Sequence, residues 1–225
     1  RRRGFTPKSI RNFCDRIGVA KSASVVEYAF LEHCLREDLN EHAQRAMAVL
    51  RPLKITFSNW DEGKVEEIEL ENHPDHPEMG TRKLHFTKTC FIEQEDFMLD
   101  PPKKFFRLAP GREVRLKGAY IIRCDEAKTD ENGNVVEVYA EYDPESRGGN
   151  PADGRKIKST IHWVDAKNAE DAEIRLYDNL FTVEDPDAGD FLELLNPDSL
   201  KVLTGCKVEA VSYTHLRAHE TELHL

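Results

Sequence analysis

The stretch of the chain best suited to chemistry is residues 107–123. It carries five basic residues and a single acid, in a chain whose formal net charge is -10. The five are Arg107, Arg112, Arg115, Lys117 and Arg123. Guanidinium and ammonium groups bind phosphate oxygens, and a local basic patch can do so on an acidic protein. The stretch therefore predicts either a phosphate-binding surface or an ordinary charged surface whose cations pair with neighbouring acids.

The spacing of these cations bears on that choice. If residues 113–123 form one strand, Arg115, Lys117 and Arg123 share one face and apolar residues occupy the other. Cations two residues apart on a strand lie about 6.5–7 Å from one another, close to the spacing of successive phosphates along a nucleic-acid strand. The geometry suits a nucleic acid, but the ordinary charged surface remains the alternative.

No other stretch carries a strong catalytic or metal-binding motif. The sequence has no Walker-type phosphate loop, no GxGxxG and no GxSxG. His219 and His224 flank a segment like HExxH, but a separation of five residues turns them apart on a helix. The five cysteines include no CxxC pair, which indicates reduced thiols and neither a disulfide frame nor a zinc site. We expect no metal.

Length and composition predict one large or two small globular domains, since 39% of the 225 residues are hydrophobic. There is no run of about 18 apolar residues and no apolar leader, so we expect a soluble, unsecreted protein without a membrane span. Residue 1 is an arginine and the chain enters directly into helix-like sequence. This suggests a fragment of a longer protein.

Two helices are predicted near the beginning of the chain. Thr6 followed by Pro7 is typical of an N-cap and first helical position, and Gly18 predicts the end of that helix. Residues 24–27 fit a capping box for a second helix, whose apolar stripe runs at three- and four-residue steps.

The rest of the chain has the pattern of short strands. Residues 55–60 and 65–70 predict a hairpin around the loop 61–64, and residues 119–124 and 135–142 predict another around Asn132-Gly133. Further strand-like runs follow at 157–164, 173–177 and 200–203. Many short strands without interleaved helices indicate an antiparallel barrel or sandwich.

Ordered blocks along the sequence resemble the glutaminyl-tRNA synthetase family of class I aminoacyl-tRNA synthetases. One is Ala-Asp-Gly-Arg-Lys at 152–156 followed by Ile-His-Trp-Val at 161–164. The others are residues 1–10, 35–40, 45–49, 72–80, 111–116, 173–178 and 196–200. The resemblance covers about residues 1–207. A eukaryote-like glutamyl-tRNA synthetase fragment and a non-enzymatic RNA-binding β-barrel module are the alternatives.

The resemblance implies a mainly β fold with an N-terminal α-helical segment. The β part would be antiparallel β-barrels in a two-barrel anticodon-binding architecture, ribosomal-protein-L25-like. Residues 1–44 would be a helical connector that follows a missing catalytic domain, and residues 45–211 the barrel region, incomplete at its C-terminal end. Residues 212–225 do not resemble the family and are predicted to be a non-native tail.

The same resemblance implies a function for the longer protein. Members of the family attach glutamine to tRNA(Gln) with ATP, and they use signature motifs that this chain does not contain. ATP with Mg would belong to the missing catalytic domain, so no cofactor is expected here and the fragment alone should be inactive. The full-length protein would be a cytoplasmic monomer that binds tRNA(Gln) and no membrane.

Five residues match anticodon-contacting positions of the family: Asn40, Arg45, Arg107, Arg115 and Lys117. By this resemblance Arg45 is associated with the middle uridine, and Arg107 reads the third base, a guanosine, whose acceptors suit a guanidinium fork. Arg115 and Lys117 match the pair beside the first base. Family members have arginine at the position of Lys117, and lysine keeps the charge but loses the planar fork.

Three further residues lie close to Arg107 in the sequence. Phe105 is at an aromatic position of the family and is either a core ring or a stacking surface for an unpaired base. Lys104 and Phe106 occupy positions where other members carry different polar or basic groups. The resemblance therefore implies no role for Lys104 or Phe106.

Overall fold

The computed structural model describes residues 4–22 and 24–210. The helices are α1 (Pro7–Ile17) and α2 (Tyr28–His42). The strands are β1 (Ala48–Val49), β2 (Pro52–Phe57), β3 (Glu66–Glu71), β4 (Thr81–Phe86), β5 (Thr89–Glu93), β6 (Glu113–Leu116), β7 (Ile121–Thr129), β8 (Val135–Tyr142), β9 (Thr160–Ile161), β10 (Val164–Asp165), β11 (Glu170–Tyr177) and β12 (Leu200–Val208). The predicted tail at 212–225, with His219 and His224, lies outside the described residues.

The described residues fall into two compact units. One contains the residues up to 44 together with 173–204, and the other contains 45–172 together with 205–210. The division into a connector, a barrel region and a foreign tail stays a prediction. Among the described residues, no helix is both long enough and apolar enough to span a bilayer.

Helix α1 begins and ends where the sequence predicts. The Thr6 hydroxyl accepts a hydrogen bond from the Ser9 N–H at 2.9 Å, and the Ser9 hydroxyl accepts one from the Thr6 N–H at 3.2 Å. Pro7 takes the first turn, where its missing N–H costs nothing. At the other end the Gly18 N–H donates to the Cys14 carbonyl.

Helix α2 exists as predicted but begins later than residues 24–27 indicate. Its first residue is Tyr28, and Glu27 stands at the N-cap without a side-chain hydrogen bond. Val25 and Val26 precede the helix, and two successive β-branched residues favour an extended backbone. The capping box at Ser24 is therefore wrong.

The mainly β fold with an N-terminal helical segment is confirmed. The largest sheet has the strand order β10-β5-β2-β8-β7-β6-β9 and forms half of a barrel. A second sheet has the order β1-β12-β11, and β3 pairs with β4. The large sheet is not purely antiparallel, because β2 runs parallel to β8 and β6 runs parallel to β9. The strands of each parallel pair are far apart in sequence, so no tight turn fixes their direction.

One predicted hairpin is confirmed and the other is wrong. Strands β7 and β8 pair antiparallel around Asn132-Gly133, and the Asp130 carboxylate accepts hydrogen bonds from the backbone N–H groups of Asn132 and Asn134. By contrast, β2 and β3 do not pair with each other. Strand β2 lies between β5 and β8, whereas β3 pairs only with β4 among the strands of the described residues. The loop 61–64 therefore links two different sheets.

The condition that residues 113–123 form one strand is not met, because the chain reverses direction in the middle of this segment. Strand β6 ends at Leu116 and β7 returns antiparallel from Ile121. Gly118 makes the reversal possible: its φ is +69°, and a Cβ at this position would overlap the Leu70 side chain. Only glycine adopts such a backbone without strain.

The reversal divides the basic stretch. Arg123 does not continue the row of Arg115 and Lys117, since it lies opposite Glu113 across the β6–β7 ladder. Its guanidinium lies 2.8 Å from the Glu141 carboxylate and 3.2 Å from that of Asp125. Arg123 is thus the ordinary paired surface cation that the alternative interpretation describes.

The core of the larger unit is rich in aromatic rings. Trp163 is fully buried and packs edge-on against Phe86 with ring centroids 5.1 Å apart. Phe57 stacks on Phe86 from another strand, at 5.2 Å. All five cysteines are free; Cys14 is exposed and the other four are buried.

Candidate nucleic-acid interface

Arg107 is fixed by an acid that lies behind it. The next residue, Leu108, is fully buried and anchors the backbone. One guanidinium nitrogen, Nη1, lies 2.7 Å from the Asp96 carboxylate and donates to the Glu95 carbonyl at 3.5 Å. Within the described part of the chain, no residue accepts a hydrogen bond from its Nε or Nη2. This half of the guanidinium fork is open to a ligand with two acceptors.

Asp96 is buried, and burial disfavours the charged form of its carboxyl. Burial raises the pKa of the Asp96 carboxyl, while the Arg107 guanidinium opposes that rise. The ion pair therefore favours the charged form of Asp96 and orients Arg107 at the same time.

Arg115 lies along a glycine loop. Its Nε donates to the Gly149 carbonyl, and its Nη1 lies 3.3 Å from the Thr160 hydroxyl of β9. Gly149 has a φ of +87°, and a Cβ there would come within 2.6 Å of the Arg115 Cδ. The half-buried Arg115 side chain is therefore held by two separate segments.

The backbone of Lys117 is held by hydrogen bonds, whereas its side chain is exposed. Its N–H donates to the Ile161 carbonyl at 3.0 Å, and its carbonyl accepts from the Trp163 indole N–H at 3.0 Å. The side chain is exposed and forms no ion pair with any acid in the described ranges. A backbone held by the core, with an ammonium that forms no described ion pair, suits contact with a phosphate.

Asn40 belongs to the first compact unit and Arg45 to the second. Asn40 is exposed in the last turns of α2, and Arg45 is half-buried, with its N–H donating to the Asn72 carbonyl at 2.7 Å. Both make further contacts within the protein. Neither residue lines the groove that contains Arg107.

Arg107 opens into a groove with a volume of about 340 Å³. The groove is lined by Lys103, Phe105, Phe106, Arg107, Arg112, Glu113, Lys156, Ile157 and Lys158. Arg115 follows Glu113 on the same face of β6, and its N–H donates to the Ser159 carbonyl. Arg115 thus extends the groove wall along β6 and the segment before β9.

The groove is strongly basic because Glu113, the one acid among its described lining residues, is paired with an arginine. Glu113 accepts hydrogen bonds from the Arg155 guanidinium at 3.0 and 3.2 Å. Within the part of the chain that the structure describes, Lys103, Lys156 and Lys158 have no ion-pair partner. Three such ammonium groups around an open cleft suit an anionic ligand.

Arg155 fixes the loop that carries two of these lysines. Besides Glu113, it lies 2.7 Å from the Asp143 carboxylate and 3.1 Å from that of Asp153. These carboxylates, Asp143 first, raise the pKa of Arg155 above its usual value. The network ties the segment before β9 to β6 and to the end of β8, and so positions Lys156 and Lys158 against the groove.

The sequence singled out Arg107, Arg115 and Lys117, but it missed this second wall. Arg155, Lys156 and Lys158 form a second basic cluster within four residues, in a chain with an excess of acids. That cluster was the signal for a further phosphate-binding segment. Its position beside Arg107 depends on tertiary contacts that no local pattern contains.

Comparison with known proteins identifies related sequences. A family model described as "tRNA synthetases class I (E and Q), anti-codon binding domain" matches residues 43–143, and a second model with the same description matches residues 160–217. Arg45, Arg107, Arg115 and Lys117 fall within the first match, whereas Lys158 lies just before the second.

Curated relatives are similar over nearly the whole chain. Proteins named "Glutamine-tRNA ligase" from Bradyrhizobium diazoefficiens, Nitrobacter winogradskyi and Vibrio parahaemolyticus are 54%, 53% and 54% identical over 210, 208 and 206 residues. These alignments cover 93%, 92% and 91% of this chain. The chain spans only 38% of the length of the first relative and 37% of the other two.

Proposed function

Because the chain belongs to the family of anticodon-binding domains of class I tRNA synthetases for glutamate and glutamine, we propose that its basic groove binds the anticodon loop of tRNA(Gln). The observation that carries the proposal is the open Nε and Nη2 edge of Arg107, which lies in a groove with three unpaired lysines. Unpaired bases with accessible edges are the usual targets of sequence-specific RNA recognition.

In this proposal the site residues have distinct roles. Arg107 reads the third anticodon base, a guanosine, with its guanidinium fork. Arg115 lies beside the first base, and Lys117 contacts the backbone there because its ammonium lacks a planar fork. Asn40 and Arg45 contact the rest of the loop, and Arg45 is assigned to the middle uridine.

The whole protein would be a cytoplasmic, monomeric glutamine-tRNA ligase that attaches glutamine to tRNA(Gln). The name glutamine-tRNA ligase shared by the relatives, and the chain's share of their length, support the ligase part of this assignment. ATP and Mg would act in a catalytic domain outside this sequence. The chain alone would bind tRNA without catalysing the reaction.

The test is a comparison of anticodon stem-loops that differ only at the third base. We expect this chain to bind the CUG stem-loop more tightly than one with adenine at that position, by about 1–3 kcal/mol, as for a bidentate guanine contact. Arg107→Ala should weaken binding and remove the difference. Fluorescence anisotropy at fixed salt measures both quantities, and equal binding of the two RNAs by the unmutated chain would refute the assignment.

A further inference from the structure

Phe106 is a large aromatic residue that the fold does not bury. Half of its surface, 50%, is exposed, whereas the ring-bearing core residues Phe57 and Phe86 are fully buried. Phe106 lines the same groove as Arg107, the next residue in the chain. An exposed phenyl ring inside a concave basic surface needs an explanation other than core packing.

The surroundings of the ring are cationic. The Lys158 ammonium lies 4.9 Å from the centroid of the Phe106 ring, a cation–π contact. Lys103 and Lys156 lie in the same groove without ion-pair partners in the described ranges. An apolar protein partner would have to desolvate these charges without compensation, so the charge favours a polyanion.

The shape also suits a nucleotide. The groove volume of about 340 Å³ is at the lower end of the range for small-ligand sites, about 300–1,000 Å³. A flat ring beside cations is the arrangement by which proteins bind single-stranded nucleic acid, in which bases stack on aromatic faces and phosphates contact lysines.

We propose that Phe106 is a stacking platform for an unpaired nucleotide next to the base that Arg107 reads, with Lys156 and Lys158 contacting its phosphates. The proposal rests on the proposed function and adds a subsite to it. Stacking does not depend on base identity, so this subsite strengthens binding of any unpaired neighbour while Arg107 supplies discrimination.

The experiment compares Phe106→Leu and Phe106→Tyr with the unmutated chain. Leucine keeps an apolar side chain without a π-face, and tyrosine keeps the ring. We expect Phe106→Leu to weaken binding of a CUG stem-loop about 5- to 150-fold, the range for one lost base stack. Phe106→Tyr should retain most of the affinity of the unmutated chain. Phe191→Leu is the matched control, because Phe191 is 56% exposed and does not line the groove.

A spectroscopic measurement separates stacking from general loss of affinity. With 2-aminopurine placed in turn at each loop position, one position next to the third anticodon base should lose fluorescence on binding, and Phe106→Leu should abolish that quenching at saturating protein. Third-base discrimination should persist in Phe106→Leu.

The outcomes distinguish this inference from the function on which it rests. If the unmutated chain discriminates the third base but Phe106→Leu binds equally well and quenches equally, the stacking platform is wrong and the proposed function stands. If the unmutated chain prefers a poly-glutamate peptide to the RNA, both are wrong.

Discussion

The Arg107 guanidinium lies 2.7 Å from the buried Asp96 carboxylate, so the proposed base reader is oriented by an acid of its own unit. This contact gives Arg107 two separable roles. One edge of its guanidinium pairs with Asp96, and the other has no partner among the described residues of the groove that Arg107 lines. We therefore expect loss of Arg107 to affect stability as well as RNA binding.

The stability effect of Arg107→Ala should depend on pH. Burial raises the pKa of folded Asp96, so the stability linked to this carboxyl is present below its unfolded pKa and lost as the pH rises through the folded pKa. Removing the opposing guanidinium raises the folded pKa further. We expect Arg107→Ala to cost about 1–3 kcal/mol at neutral pH and less near the ordinary aspartate pKa of about 3.9.

Urea unfolding at both pH values measures this difference. The same cost is then measured in the Asp96→Asn background, between Asp96→Asn and the double variant Asp96→Asn/Arg107→Ala. There we expect the loss of stability to be nearly independent of pH, because the titrating carboxyl is gone. If Arg107→Ala lowers the free energy of unfolding equally at both pH values while Asp96 is present, the ion pair does not affect the pKa of Asp96.

Lys117 is expected to contact phosphate without reading a base. Lys117→Ala should lower the slope of log affinity against log salt by about 0.7, the contribution of one phosphate on single-stranded nucleic acid. Lys117→Arg should keep the slope, and third-base discrimination should be the same in all three proteins. Anisotropy titrations at several salt concentrations test this. Altered discrimination in Lys117→Ala would contradict it.

Gly149 should tolerate substitution less well than its neighbour Gly148. Both have positive φ, +87° and +84°, so alanine adds backbone strain of about 1–2 kcal/mol at either position. Only at Gly149 would the new Cβ meet the Arg115 side chain. Gly149→Ala should therefore lower the melting temperature further and also weaken RNA binding. Equal effects of the two substitutions on RNA affinity would show that the contact with Arg115 has no functional consequence.

Arg155 should act on RNA binding through the loop that it fixes. Arg155→Gln leaves three carboxylates near one another without their cation, so residues 156–158 should lose their position. We expect the slope of log affinity against log salt to fall by up to about 1.4, which corresponds to the loss of two phosphate contacts, one each from Lys156 and Lys158. Because the Arg155 side chain is 32% exposed, solvent partly screens its ion pairs, and we expect the free energy of unfolding to change by about 1 kcal/mol.

A matched arginine outside the groove provides the control. Arg175 is exposed and lies 2.8 Å from Glu173, so Arg175→Gln removes a surface ion pair without touching the loop. It should leave the salt slope unchanged. If Arg155→Gln also leaves the salt slope unchanged, the positioning of Lys156 and Lys158 by Arg155 does not contribute to RNA binding.

Features set by neighbouring residues were predictable from the sequence. Thr6, Pro7 and Gly18 fix the ends of α1 through their own backbone and side-chain chemistry, and Asn132-Gly133 fixes the β7–β8 turn in the same way. The family resemblance predicted the mainly β fold and the choice of Arg107 as a site residue. Whether its five site residues contact RNA stays a prediction.

Features set by distant contacts were not predictable. The reversal at Gly118 was hidden because Leu116 and Tyr120 are both buried, so the alternation of apolar residues continues through the turn. The loop 61–64 has hairpin chemistry, yet the partners of β2 come from later parts of the chain. The wall formed by Lys156 and Lys158 depends on Arg155 meeting Asp143 and Glu113, which are far from it in sequence.

The parallel pairing of β2 with β8 also constrains the order of folding. Lys54 lies opposite Glu137, so one edge of β2 has no partner until the ribosome has released residues 135–142. Closure of so long a loop is slow, and an unpaired strand edge is a site of association between chains. During synthesis, the interval between the emergence of β5 and that of β8 is therefore when this sheet is most exposed to misassembly.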